Sequence, residues 1–208
     1  QAHPAVGRDR EFDLMLAQYD VEGSVAHVKM LGEAGLMSTE EAMKAVRGLE
    51  EIALTIREGK FDIADGVEDV HSQVEFLLTE KIGAAGKKIH SGRSRNDQVA
   101  VDIKLFLRAG IKDTRSHVLD LFNLLISQSE KFKSHLLPGY THLQLAMPSS
   151  FGLWLGSFAE SLVDDMEMLA AAYAVADKNP LGSGAGYGSS FPLSRKRTTE
   201  LLHFSTLN

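Results

Sequence analysis

The chain contains no cysteine, one tryptophan and five prolines in 208 residues. Without cysteine there is no disulfide scaffold, no thiolate nucleophile and no cysteine-based metal centre. Positive charge is also in short supply, since 22 Lys and Arg face 28 Asp and Glu, a formal net charge of −6 with histidine neutral. Nucleic-acid binding needs a basic face for phosphate contacts, so no nucleic-acid partner is expected. No apolar stretch follows a basic start at the amino terminus, so no secretory leader is read there. Ser134 to Ala159 carries no Asp, Glu, Lys or Arg, but Pro138, Gly139, His142, Gln144 and Pro148 interrupt it. That segment reads as two uncharged pieces around a loop, so no membrane association is expected and a cytoplasmic location is.

What is present is ordinary globular composition, 44% hydrophobic and 24% charged, with helical periodicity almost throughout. Phe12, Leu16, Tyr19, Gly23, Ala26 and Met30 step by three and four along one face. Gly35 stops that helix, and Ser38 with Glu41 has capping-box spacing for a second one, whose stripe is Ala42, Val46, Leu49, Ala53 and Ile56. Residues 60–67 read as a loop or short extended piece. A third helix is expected over 68–82, with Val70, Val74, Leu77 and Leu78 inward and Gly83 and Gly86 ending it. Two longer helices are expected over 98–132, on Val99, Ile103 and Phe106, and over 149–177. The first is apolar nearly all round, which implies a bundle shared between subunits, and the second carries Leu153, Phe158, Leu162, Met166 and Leu169 on one side. No strand-alternating segment competes. A boundary at 83–92 divides a small helical domain, 1–88, from the start of a long-helix bundle domain, 89–208.

Two segments carry the most concentrated chemistry. His90-Ser-Gly-Arg-Ser-Arg-Asn-Asp-Gln98 packs polar side chains into the turn before the longest helix. Free N–H groups and the positive dipole end gather there, and Arg93 and Arg95 add two guanidiniums suited to gripping carboxylates. A capped helix with solvated arginines is the alternative. In Pro138-Gly-Tyr-Thr-His-Leu-Gln144, Thr141, His142 and Gln144 could present a hydroxyl, an imidazole and an amide from one loop. A structural histidine is the alternative there. Asp69 and His71 lie at a helix start, where an acid usually serves the dipole. Gly182 to Gly188 lacks the strand and the Gly-Lys-Ser/Thr of a phosphate loop and reads as a flexible, close-approach loop. The eight histidines show no His-Glu-x-x-His or similar spacing, so no metal is expected.

Together these segments resemble the argininosuccinate lyase family of the fumarase/aspartase superfamily. The likeness rests on the 90–98 and 138–144 segments, supported by Glu68-Asp-Val-His71 and Asn179-Pro-Leu-Gly-Ser183. It implies an all-α, fumarase/aspartase-like fold and cleavage of argininosuccinate to arginine and fumarate without any cofactor. It also implies a homotetramer in which three subunits contribute to each site. By the same resemblance, His142 is the acid/base group and Thr141 hydrogen-bonds a substrate carboxylate. Arg95 and Asn96 bind substrate, Ser94 shapes their loop, and Gln144 and His71 are neighbours. A δ-crystallin-like structural protein and another superfamily lyase are the rival readings. The family's Gly-Ser-Ser-x-Met-Pro-Gln-Lys-Lys-Asn-Pro loop is missing; Gly188-Ser-Ser-Phe-Pro192 echoes only its first letters. The chain is therefore expected to be an amino-terminal portion, inactive alone. No role is assigned to residues 1–11.

Overall fold

The computed structural model describes residues 9–208, which are mostly helical. They divide into two compact units. The first holds the chain up to Phe106 together with Asp177–Asn208, and the second is Leu107–Ala176. The boundary read at 83–92 thus falls inside the first unit, because the carboxy-terminal segment returns to it.

In the first unit, a short helix α1 (Asp9–Asp13) and a 3-10 turn (Leu14–Leu16) lead into α2 (Ala17–Glu33). The break explains why the expected face is only half right: Gly23, Ala26 and Met30 are buried, while Phe12 is 63% exposed. The next helix, α3 (Thr39–Arg57), starts where the capping box places it. Glu41 N–H donates to Ser38 Oγ at 3.2 Å and Ser38 N–H donates to Glu41 Oε2 at 3.2 Å. It is followed by α4 (Val70–Ile82), capped by Asp69, whose Oδ1 accepts from Ser72 N–H at 2.8 Å. Leu31, Leu49, Ile52, Val74 and Leu78 fill the core between these three helices. Each such side chain contributes about 1.5–3 kcal/mol by leaving water. A short helix α5 (Ala84–Lys87) and a 3-10 turn (Lys88–His90) carry the chain to α6 (Arg95–Phe132).

A second cluster lies on the opposite flank of α2. Ala26 packs there with Val101 and Leu105 of α6 and with Leu181, Leu202 and Phe204 of the returning segment. The core-facing stripe of early α6 is therefore Gln98, Val101, Asp102 and Leu105, all buried. It is not the purely apolar stripe through Ile103, which is 43% exposed. The returning segment contains the short strand β3 (Lys178–Asn179), the helix α8 (Arg195–Leu201) and the short strand β4 (Thr206–Leu207), which pairs parallel with β3. Buried Asn179 holds it together. Its Nδ2 donates to Thr198 and Thr199 Oγ1 at 3.0 and 2.9 Å, and its Oδ1 accepts from Leu181 N–H at 3.0 Å.

The second unit contains the later part of α6, a hairpin of β1 (Leu136–Thr141) and β2 (Gln144–Ser150), and α7 (Phe151–Ala176). The hairpin corrects the expectation that no strand forms, and its turn is the loop read between two uncharged pieces. Its strands pair antiparallel from Leu136↔Ser150 to Thr141↔Gln144, with a register shift at Gly139/Tyr140. It closes on His142 and Leu143 with φ of 50° and 63°, the two positive values that a tight, twist-matched hairpin turn requires. Neither Pro138 nor Pro148 has an N–H to give the ladder, and the two lie opposite each other. Where α7 begins, Gly152 lets it press on α6: a Cβ there would stand 2.5 Å from Lys133 Cα. Among the described residues, no helix is long and apolar enough to cross a membrane.

Candidate active site

The 90–98 segment is fixed by its own polar side chains. Asp97 Oδ1 accepts from Ser94 N–H at 2.8 Å, closing the first turn of α6. Its Oδ2 accepts from the N–H groups of Gly182 and Gly184, both at 2.9 Å. The glycine loop is thus anchored to the start of α6. Gly182 has φ 93°, and a Cβ on it would meet Arg195 Cγ at 2.7 Å. Ser94 Oγ accepts from Asn96 N–H at 3.2 Å, and the Asn96 side chain is exposed.

Arg95 reaches the first turn of α4. Its Nη1 donates to Glu68 Oε2 at 2.9 Å, its Nη2 to Ser72 Oγ at 2.9 Å, and its Nε lies 3.0 Å from Asp69 Oδ2. The guanidinium is thereby shared between two carboxylates and a hydroxyl, one nitrogen to each. Beside Ser72, buried His71 places Nδ1 3.1 Å from Asp20 Oδ2 and Nε2 3.2 Å from His90 Nδ1. Asp20 as acceptor puts the His71 proton on Nδ1 and leaves a lone pair on Nε2.

Beneath these groups lies a buried polar layer. Gln98 Nε2 donates to Asp20 Oδ2 at 3.1 Å and to Asp102 Oδ1 at 2.9 Å. Burial, and then the charge of Asp20, push the Asp102 carboxyl well above the usual carboxylate range. Arg93 is buried, donating through Nη1 to Ser24 Oγ at 3.1 Å, and its Nε and Nη2 have no hydrogen-bond partner. His27 donates through Nε2 to Ser91 O at 2.9 Å, and its Nδ1 has no partner. Burial, followed by the charge of Arg93, drives His27 down to about 3, so its ring is neutral.

In the second unit, the hairpin tip carries Thr141, His142, Leu143 and Gln144, all exposed. Thr141 and Gln144 are cross-strand partners, and His142 stands between them in the turn. Left-handed backbone costs a branched residue such as Leu143 about 1–2 kcal/mol, and its side chain, 98% exposed, recovers nothing by burial. Strain kept at an exposed tip directs attention to function there.

The family model described as lyase matches residues 5–207. The chain belongs to this lyase family. It is 60% identical over 203 residues to argininosuccinate lyase of Bacteroides fragilis, covering 98% of this chain and 45% of that protein. Against argininosuccinate lyase of Desulforamulus reducens it is 44% identical, covering 95% of this chain and 43% of the other. An EDDS lyase solved in complex with formate superposes with a TM-score of 0.82 at 29% identity, over 93% of this chain and 38% of that one. The chain spans about half the length of the curated relatives it matches.

Of the residues singled out in the sequence, the first unit gathers His71, Ser94, Arg95 and Asn96 around the starts of α4 and α6. Thr141, His142 and Gln144 are gathered at the hairpin tip of the second. Asp20 and Asp102 escape the sequence reading, and Gln98 enters it only as the end of the 90–98 segment, without a role of its own. Their one signal is that amide and acidic groups occupy positions i and i+4 of α6, and that an acid stands in the first turn of α2, on faces that are otherwise apolar.

Proposed function

We propose that the protein is part of an argininosuccinate-cleaving lyase that yields arginine and fumarate by β-elimination. The observation that carries this reading is the seating of Arg95 beside His71 at the start of α4, within a segment that matches the family motif. Elimination removes a proton from the carbon next to a carboxylate. The dianionic intermediate then needs fixed positive charge and hydrogen bonds, and an acid protonates the departing guanidinium nitrogen. Arg95 supplies the bidentate grip, exchanging exposed Glu68 for a substrate carboxylate, and Asn96 adds an amide. Ser94 holds their turn. Thr141 donates to a substrate carboxylate, His142 acts as acid/base, and Gln144 and His71 line the site. No cofactor takes part.

A homotetramer is part of the same reading. In the second unit, Leu119, Leu124 and Ile126 of α6 and Leu153, Trp154 and Phe158 of α7 leave large apolar faces exposed. Such surface suits association with further copies of the chain.

The experiment is a substrate panel on the intact protein. Argininosuccinate should release fumarate and arginine in equal amounts. His142→Asn should abolish most turnover while the oligomer persists, and Arg95→Lys should weaken substrate use because an ammonium cannot form the fork. Turnover of adenylosuccinate or malate in place of argininosuccinate would sink the assignment.

A further inference from the structure

We infer that His71, Glu75 and His90 form a three-ligand site for a divalent cation of the zinc class. The site shares His71 with the proposed substrate site, but cation binding by these three donors does not rest on that reading. His71 and Glu75 are one turn apart on α4 and so share a face, and the 3-10 turn after α5 brings His90 back against them. His71 Nε2 and His90 Nδ1 stand 3.2 Å apart, and His90 Nδ1 lies 3.9 Å from Glu75 Oε2. The three donor atoms all fall within 4.8 Å of one another. Ligands about 2.0–2.1 Å from a tetrahedral zinc are about 3.3 Å from each other, so the gap is already close to the required size.

The surroundings fit the same purpose. His71 Nδ1 donates to Asp20, the carboxylate–histidine arrangement that orients a ligating imidazole and raises its basicity. That bond leaves the Nε2 lone pair facing the gap. His90 ligates through Nδ1 as the neutral tautomer with its proton on exposed Nε2, so no net proton leaves the ring. Burial, then the charge of Arg93, hold the His90 pKa below its ordinary value, and Glu75 opposes this. Arg93 and Arg95 also disfavour a cation, but Arg95 is engaged by Glu68 and Asp69, and Glu75 and Asp20 supply two carboxylates against them. His71 is 4% exposed, Glu75 32% and His90 45%. One side is therefore anchored and the other open to solvent, leaving a fourth position for water. Two imidazoles and one carboxylate select zinc or cobalt over magnesium or calcium, which prefer all-oxygen ligands.

The test is a titration of the metal-free intact protein with Co²⁺, read by visible d–d absorption, followed by displacement with Zn²⁺. One equivalent should bind with a tetrahedral spectrum, zinc should abolish it, and excess Mg²⁺ should leave it unchanged. His90→Ala and Glu75→Gln, checked for fold by circular dichroism, should each weaken cobalt binding by about tenfold or more. His90 is on the surface, so its removal leaves the core intact. Absence of a visible band in the parent protein, or cobalt binding by His90→Ala as tight as the parent's, overturns the site. No argininosuccinate enters the measurement, so it fails or succeeds separately from the proposed activity.

Discussion

Acidification should destabilise the first unit through one buried imidazole, His27, and the size of that effect follows from its surroundings. The ring is fully buried on α2, donates through Nε2 to Ser91 O, and has an unpartnered Nδ1. A proton on Nδ1 would create a buried cation near the Arg93 guanidinium, which is why burial and then Arg93 lower the pKa from 6.5 to about 3. Above the unfolded value the ring is neutral in both states and contributes no pH dependence. Below it, the unfolded chain binds a proton that the folded chain refuses, so stability is lost progressively down to the folded value. At about pH 4.5, two units below the unfolded pKa, the loss is about 3 kcal/mol. His27→Gln keeps an N–H donor for Ser91 O and cannot titrate. Urea unfolding followed by circular dichroism, from about pH 7.5 to about 4.5, should therefore show a decline about 3 kcal/mol shallower in the variant. Other titrating groups are common to both proteins and cancel in the difference. Parallel pH profiles would refute the account.

Asp102 should show the opposite sign. Its folded pKa is raised, so the wild type loses stability as pH climbs from the unfolded carboxyl value through the folded one. Asp102→Asn should thus gain on the wild type as pH rises, and urea midpoints whose difference stays constant from acid to alkaline pH would exclude this. In the second unit, a Cβ at Gly152 meets backbone, Lys133 Cα at 2.5 Å and Ser129 O at 2.6 Å, neither of which can step aside. Gly152→Ala should cost about 3 kcal/mol. At Gly156 the nearest atom is Ser129 Oγ at 3.4 Å, so Gly156→Ala should be neutral or stabilise by up to about 1 kcal/mol. Thermal melts of the two variants should diverge accordingly.

The helices were legible because their determinants are local. Ser38 and Glu41 announce α3, and Val70, Val74 and Leu78 repeat at the helical period. The hairpin was not legible, since its turn is His-Leu rather than the Asn-Gly or Asp-Gly pair that marks such turns, and its strands carry no clean alternation. The polar layer was hidden for a different reason. Periodicity counts apolar residues, so it favoured the stripe through Ile103 over the buried one through Gln98 and Asp102. Burying those groups costs free energy unless each finds a partner; Gln98 pairs with Asp102 four residues on but also with Asp20, 78 residues away, which in turn pairs with His71, 51 residues from it. The same blindness covers His71, Glu75 and His90. A ligand-spacing rule looks along one helix, whereas the third donor arrives only because Gly83 ends α4 with φ 69° and the chain doubles back. At Gln98, Asp102 and His71 local pattern and tertiary burial disagree, and that disagreement marks the polar layer beneath Arg95 more sharply than the apolar core does.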